Sequence, residues 1–191
     1  MISTRILILF FAICSFGIPA LGQNSKPKPE HFAAVAQRPR TSSRSANVDI
    51  RIKGYSSDAE ARELAGVLTE GGQEALIKAL EKKDDIGSIN MTGRVGFYDF
   101  RLIRSRKTPN GRRIVAVSAR PLGFMEVYGA TRSTDYTLGI LTLDLHRNEK
   151  GKEVGQGQLI YAAKVKFKSG RQLEVESYSI DPVRLANVRK Y

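Results

Sequence analysis

From Ala163 to Lys168, and again from Gln172 to Glu176, apolar and polar residues alternate. A period of two puts alternate side chains on opposite faces of a strand, so these stretches can bury one face only as β structure. Leu159, Tyr161, Ala163, Val165 and Phe167 are expected to face inward, with Lys164, Lys166 and Lys168 facing out. After Ser169-Gly170-Arg171 the alternation resumes as Leu173 and Val175, separated by Glu174. A two-residue loop would set Lys166 against Leu173. Matching the faces therefore selects a three-residue loop, which pairs Phe167 with Leu173, Val165 with Val175, Lys166 with Glu174 and Lys164 with Glu176. Exposed cross-strand pairs of this kind contribute ~0.2 to 1 kcal/mol each, which makes the two glutamates structural rather than a catalytic dyad.

From Ile89 onward the same grammar recurs as short apolar runs split by turn residues, the mark of an antiparallel meander. Strands are expected near Phe97–Arg106, Arg112–Ala119, Phe124–Tyr128, Tyr136–Leu145, Gln158–Lys168, Gln172–Tyr178 and Val183–Val188, after a first strand on which Val48, Ile50 and Ile52 share a face. Two helices stand between the first strand and the meander. Ser57 and Glu60 have capping-box spacing, Ala61, Leu64, Ala65 and Leu68 follow at helical intervals, and Gly71-Gly72 ends the run. A second helix over Gln73–Lys83 turns Leu76, Ile77 and Leu80 to one side. At Thr108-Pro109-Asn110-Gly111 the turn residues predict another three-residue loop, with Lys107 opposite Arg113.

The expected fold class is α+β: a helix pair packed on a curved, mainly antiparallel sheet of about seven or eight strands. Strand, two helices and then many strands also resembles the helix-grip arrangement that encloses apolar ligands, although no long C-terminal helix follows. In front of this domain, Arg5, the apolar run Ile6–Phe16 and the small residues of Ala20-Leu21-Gly22 have the layout of a secretory signal. Residues 1–22 are thus expected to be removed, which leaves a secreted or periplasmic protein without a transmembrane segment. Residues 23–47, rich in Pro, Ser, Lys and Arg, are expected to form a flexible basic linker, and 48–191 a single domain. The one cysteine, Cys14, lies within the signal, so the mature chain has no thiol chemistry.

Catalytic motifs are not evident. The two histidines, His31 and His146, have no partners near them in sequence. Two dispersed histidines without cysteine do not make a zinc site, Asp84-Asp85 lacks the alternation of a calcium loop, and no phosphate-binding glycine motif occurs. Ser133, Asp135 and His146 supply the residue types of a triad without its context, and Arg132–Tyr136 reads as a polar loop. Asn90-Met91-Thr92 is a formal glycosylation triplet. No cofactor, metal or catalytic residue is expected.

The stretches IRIKGYSSDAEA, GGQEALIKALEK, GRRIVAVSARP, RSTDYTLGILTLDL and AAKVKFKSGRQLEVESY resemble a group of exported bacterial proteins that carry no assigned activity. The resemblance implies bacterial export and the domain boundary at Val48, and supplies no site residue.

Charge gives the remaining functional signal. The net charge is +12, which favours contact with anionic polymers or lipid headgroups. Between Arg101 and Arg120 seven basic residues occur with no acidic one. Lys107, Arg112 and Arg113, with Arg104 and Arg106 beside them, are the expected anion-binding group at the tip of a basic hairpin, in an exported non-catalytic binding or envelope-associated module. The alternatives are a carrier of a small apolar ligand in a helix–sheet cavity and a hydrolase.

Overall fold

A computed structural model of the chain describes residues 5–6, 28–37, 45–123, 135–168, 172–178 and 181–191. Its elements are β1 (Arg5–Ile6), β2 (Glu30–Gln37), β3 (Ser45–Ile52), α1 (Asp58–Glu81), β4 (Gly87–Met91), β5 (Tyr98–Phe100), β6 (Leu102–Thr108), β7 (Gly111–Ser118), β8 (Leu138–Arg147), β9 (Glu153–Lys168), β10 (Gln172–Ser177) and β11 (Val183–Lys190). Every pairing is antiparallel, in the order β5-β4-β3-β2-β11-β9-β8-β7-β6. β10 continues the far half of β9, and the two-residue β1 pairs along β10. The expected Phe124–Tyr128 strand and nearly all of 1–22 lie outside the described residues.

The two ends of that order, β5 and β6, are successive segments of one stretch of chain, and this brings the sheet round to a nearly closed barrel. The seam is bridged where Arg101 N donates to Val117 O at 2.9 Å and Ser56 N to Ile103 O at 2.8 Å. The fold is mainly-β α+β, with one helix and ten strands besides the two-residue β1 among the described residues, in place of the expected helix pair on seven or eight strands.

The barrel interior follows from period-two alternation. Phe32, Ala34 and Ala36 of β2, Val48, Ile50 and Ile52 of β3, Ile114 and Ala116 of β7, and Leu141, Leu143 and Leu145 of β8 are all buried in one apolar cluster. β2 overturns the expected linker: Glu30–Gln37 lies at the centre of the sheet between β3 and β11. The composition hides it because two of its three interior positions are alanines, which a tight barrel accepts. The folded unit thus includes residues well before Val48.

The helix covers the outer face. Ser57 caps it, with Ser57 N donating to Glu60 Oε2 at 2.7 Å and Glu60 N to Ser57 Oγ at 3.2 Å. Gly72, at φ 68° and ψ −167°, breaks the helical backbone without ending the element, so the expected second helix continues the first across a kink. Leu64, Leu68, Leu76 and Leu80 keep one stripe along it and pack on Leu138, Ile140, Ile160 and Val165. Gln73, just past the kink, ties the helix to the sheet. Its Nε2 donates to Thr137 Oγ1 at 2.9 Å and its Oε1 accepts from Val165 N at 2.7 Å.

β9 does not keep one face. Leu138 pairs with Ala163 but Ile140 with Ile160, so β9 carries one extra residue. This bulge reverses the alternation: Leu159 and Tyr161 belong to the barrel core, whereas Ala163, Val165 and Phe167 lie beneath the helix. The expected single inward face of β9 is corrected accordingly. The β9–β10 register is as expected, with Phe167 opposite Leu173 and Val165 opposite Val175.

Candidate functional site

At one end of the barrel the interior rows pass from apolar to charged. Glu30 precedes Phe32 by two residues, Arg112 precedes Ile114, Glu153 precedes Gly155, and Lys190 follows Val188. Alternation therefore aims all four at the barrel axis. Arg112 donates to Glu153 through Nε and Nη2, both at 2.7 Å, and to Glu30 through Nη2 at 3.0 Å and Nη1 at 3.2 Å. Lys190 Nζ reaches Glu30 Oε1 at 2.6 Å and Glu153 Oε2 at 3.4 Å. Tyr55 donates its hydroxyl proton to Glu30, and its oxygen accepts from Arg112 Nη1 at 3.1 Å. Burial pushes the Glu30 carboxyl up, but the bonds from Arg112, Lys190 and Tyr55 outweigh it and hold the group at about 2. Burial and the bond to Glu30 push the Tyr55 phenol up, while the two carboxylates keep Arg112 charged in spite of burial. The cluster is a satisfied ionic plug.

The expected basic group is dispersed by this arrangement. Thr108 pairs with Gly111, so the loop is Pro109-Asn110 and Lys107 faces Arg112 while Arg106 faces Arg113. The expected three-residue loop would have set Ile103, buried in the barrel core, against Val117, which packs under the helix. A one-residue shift restores matching faces. Gly111 serves as a strand residue there, where a β-carbon would lie 2.1 Å from Leu145 O. Because neighbouring residues alternate, Arg112 points into the plug and Arg113 outward, where its Nε meets Asp144 Oδ1 at 2.5 Å. Arg104 is bonded to Asp58 and Ser56 O, and Arg101 to Asp99 at 2.6 Å. Arg120 also meets Asp99, at 2.9 Å, with its guanidinium 5.3 Å from the Tyr98 ring centre. Lys107 and Arg106 are exposed on the hairpin.

Beside this hairpin an open cleft of about 760 Å³ runs over the outer face of β7, β8, β9 and β11. Arg113, Asp144, His146, Gln156, Asn187 and Arg189 line it. Asn187, at φ 52°, sits in a bulge of β11 between Ala186 and Arg189. His146 and Arg189 flank Val154 from the neighbouring strands. Both are exposed, and Arg189 has no acidic partner among the described residues.

The other sequence candidates separate. Ser133 lies outside the described residues; Asp135 precedes β8 and His146 lies near its far end, roughly 30 Å of extended strand away, so these two do not meet as the acid and base of a triad. Lys166 Nζ lies 2.9 Å from Glu176 and 3.5 Å from Glu174. His31 stacks edge-on against Tyr191 at 6.0 Å. Asn90 and Thr92 stand at the end of β4, with Thr92 Oγ1 donating to Asp49 at 2.7 Å. Sequence reasoning found Arg112 but missed Glu30, Tyr55, Glu153, Lys190 and Arg189. A charged residue two places outside an apolar alternation was the available signal. Comparison with family models, curated proteins and solved structures finds no match for the chain.

Proposed function

We propose that the chain is an exported, non-catalytic binding module that holds an anionic group, such as the phosphate or carboxylate of an envelope polymer or lipid headgroup, in the cleft beside the β6–β7 hairpin. Arg189 carries the reading. It is an exposed guanidinium on the cleft wall with no acidic partner among the described residues, and Asn187 and Gln156 stand beside it to donate further hydrogen bonds. Arg113 adds a second guanidinium, shared with Asp144, and Lys107 raises the local potential from the hairpin. The chain's net charge of +12 brings anions toward it from a distance. The carrier alternative asks for an internal void, and the side chains that fill both the barrel and the helix–sheet layer weigh against it.

The test is binding to polyphosphate at two ionic strengths, with Arg189→Glu and Lys107→Glu as comparisons. Arg189→Glu should weaken binding about tenfold, the worth of one charge-assisted hydrogen bond, and reduce its salt dependence. Equal binding by the wild type and Arg189→Glu removes the cleft as the site.

A further inference from the structure

The turn between β4 and β5 presents its apolar side chains to solvent. Val95 is fully exposed and Phe97 is 60% exposed, which makes them two of the three large apolar side chains that stand out among the described residues. The loop is held in this form. Gly93 and Gly96 take φ of 78° and 101°, and the base is pinned where Thr92 N donates to Asn47 O at 2.9 Å and Arg94 N to Met91 O at 3.1 Å. Arg94 extends from the same loop into solvent, and Arg120 stands beside it with its guanidinium over Tyr98. Between them lies a hollow of about 330 Å³, bordered by Met91, Arg94, Phe97, Tyr98 and Arg120.

An apolar tip held outward costs free energy in water. The combination has a use at a lipid surface, where an aromatic ring settles at headgroup depth and arginines beside it meet phosphates. We propose that the Thr92–Phe97 loop inserts Val95 and Phe97 into an anionic bilayer surface, with Arg94 and Arg120 on the headgroup phosphates. The loop is at the opposite end of β3 from the plug and the adjoining hairpin: Ile52 pairs with Glu30, whereas Asn47 binds Thr92. The inference is therefore separate from the cleft. Together the two sites would let one module join a membrane to an anionic polymer.

The chain has no tryptophan, so Phe97→Trp places a single indole reporter at the tip. On adding phosphatidylglycerol vesicles the indole emission should move to the blue and be quenched by brominated acyl chains, while phosphatidylcholine vesicles leave it unchanged. Val95→Asp in the same background should weaken vesicle binding tenfold or more, with an unchanged melting temperature. Arg189→Glu should leave the blue shift intact. Because the signal is local to position 97, an apolar leader entering the bilayer elsewhere would not imitate it. Co-sedimentation with vesicles without a shift would place the contact on another face, leave the cleft reading standing and overturn this one. Absence of binding to vesicles, or loss of the shift in Arg189→Glu, overturns it as well.

Discussion

Arg112 and Glu153 meet as a two-pronged pair across the mouth of the barrel, with Nε and Nη2 each 2.7 Å from a carboxylate oxygen. The fork fixes the guanidinium plane, and the free edge of Nη1 and Nη2 is left for Glu30. Arg112→Leu would leave two carboxylates poorly compensated in a partly buried site. The expected cost is about 3 kcal/mol, measured by urea unfolding. A loss below about 1 kcal/mol would mean that the plug behaves as an ordinary surface ion pair.

The same plug sets a response to acid. Glu30 is held at about 2 in the folded chain, against an ordinary value of 4.5. A lowered folded-state value stabilises the fold above the ordinary value, and that stabilisation disappears as pH falls from 4.5 toward about 2. The contribution is on the order of 3 kcal/mol. Glu30→Gln should flatten the melting temperature across this window; an identical acid profile in wild type and variant would contradict the assignment.

Phe32 is fully buried in the barrel core although it lies in a stretch with the composition of a tether. Phe32→Ala should destabilise the protein by about 3 to 5 kcal/mol. A true linker residue would cost nothing, so chemical denaturation separates the two cases directly.

Two glycines should respond in opposite directions to alanine. A β-carbon at Gly155 would lie 1.9 Å from Asp144 O, so Gly155→Ala must push β8 from β9 and should cost at least the ~1 to 3 kcal/mol of an overpacked core. Gly66, in the helix, has nothing within 4 Å of that position. Gly66→Ala should stabilise by about 0.5 to 1 kcal/mol through reduced backbone entropy. Thermal melts of the pair give the comparison.

Export is open to a simple measurement. Protein recovered outside the cytoplasm should begin at or within a few residues of Gln23, as read by intact mass. Recovery of a chain still starting at Met1 from membranes would sink the signal-peptide reading.

What could be read from the residues was local. The β9–β10 register followed from Val165, Val175 and the opposed charges between them, and the helix start followed from Ser57 and Glu60. The β6–β7 hairpin slipped by one residue because turn chemistry at Pro109-Asn110-Gly111 permits two loop lengths, and the decision falls to the burial of Ile103 against Ala116. β2 escaped notice because alanines fill two of its three interior positions, and β4 because it is five residues long with a glycine at one interior position. The plug was illegible for a different reason. Arg112 was visible as a cation, but its partners Glu30, Glu153 and Lys190 come from three other strands, and only the completed pairing order brings them together.

The position of β2 between β3 and β11 has a consequence for the order in which the protein can be finished. Residue 31 accepts a backbone hydrogen bond from the final residue, with Tyr191 N 3.1 Å from His31 O. One edge of β2 therefore stays unpaired until β11, far downstream in sequence, has been made. Contacts this far apart in sequence also form slowly. Until β11 arrives, the sheet ends at β2 with an open row of backbone donors and acceptors.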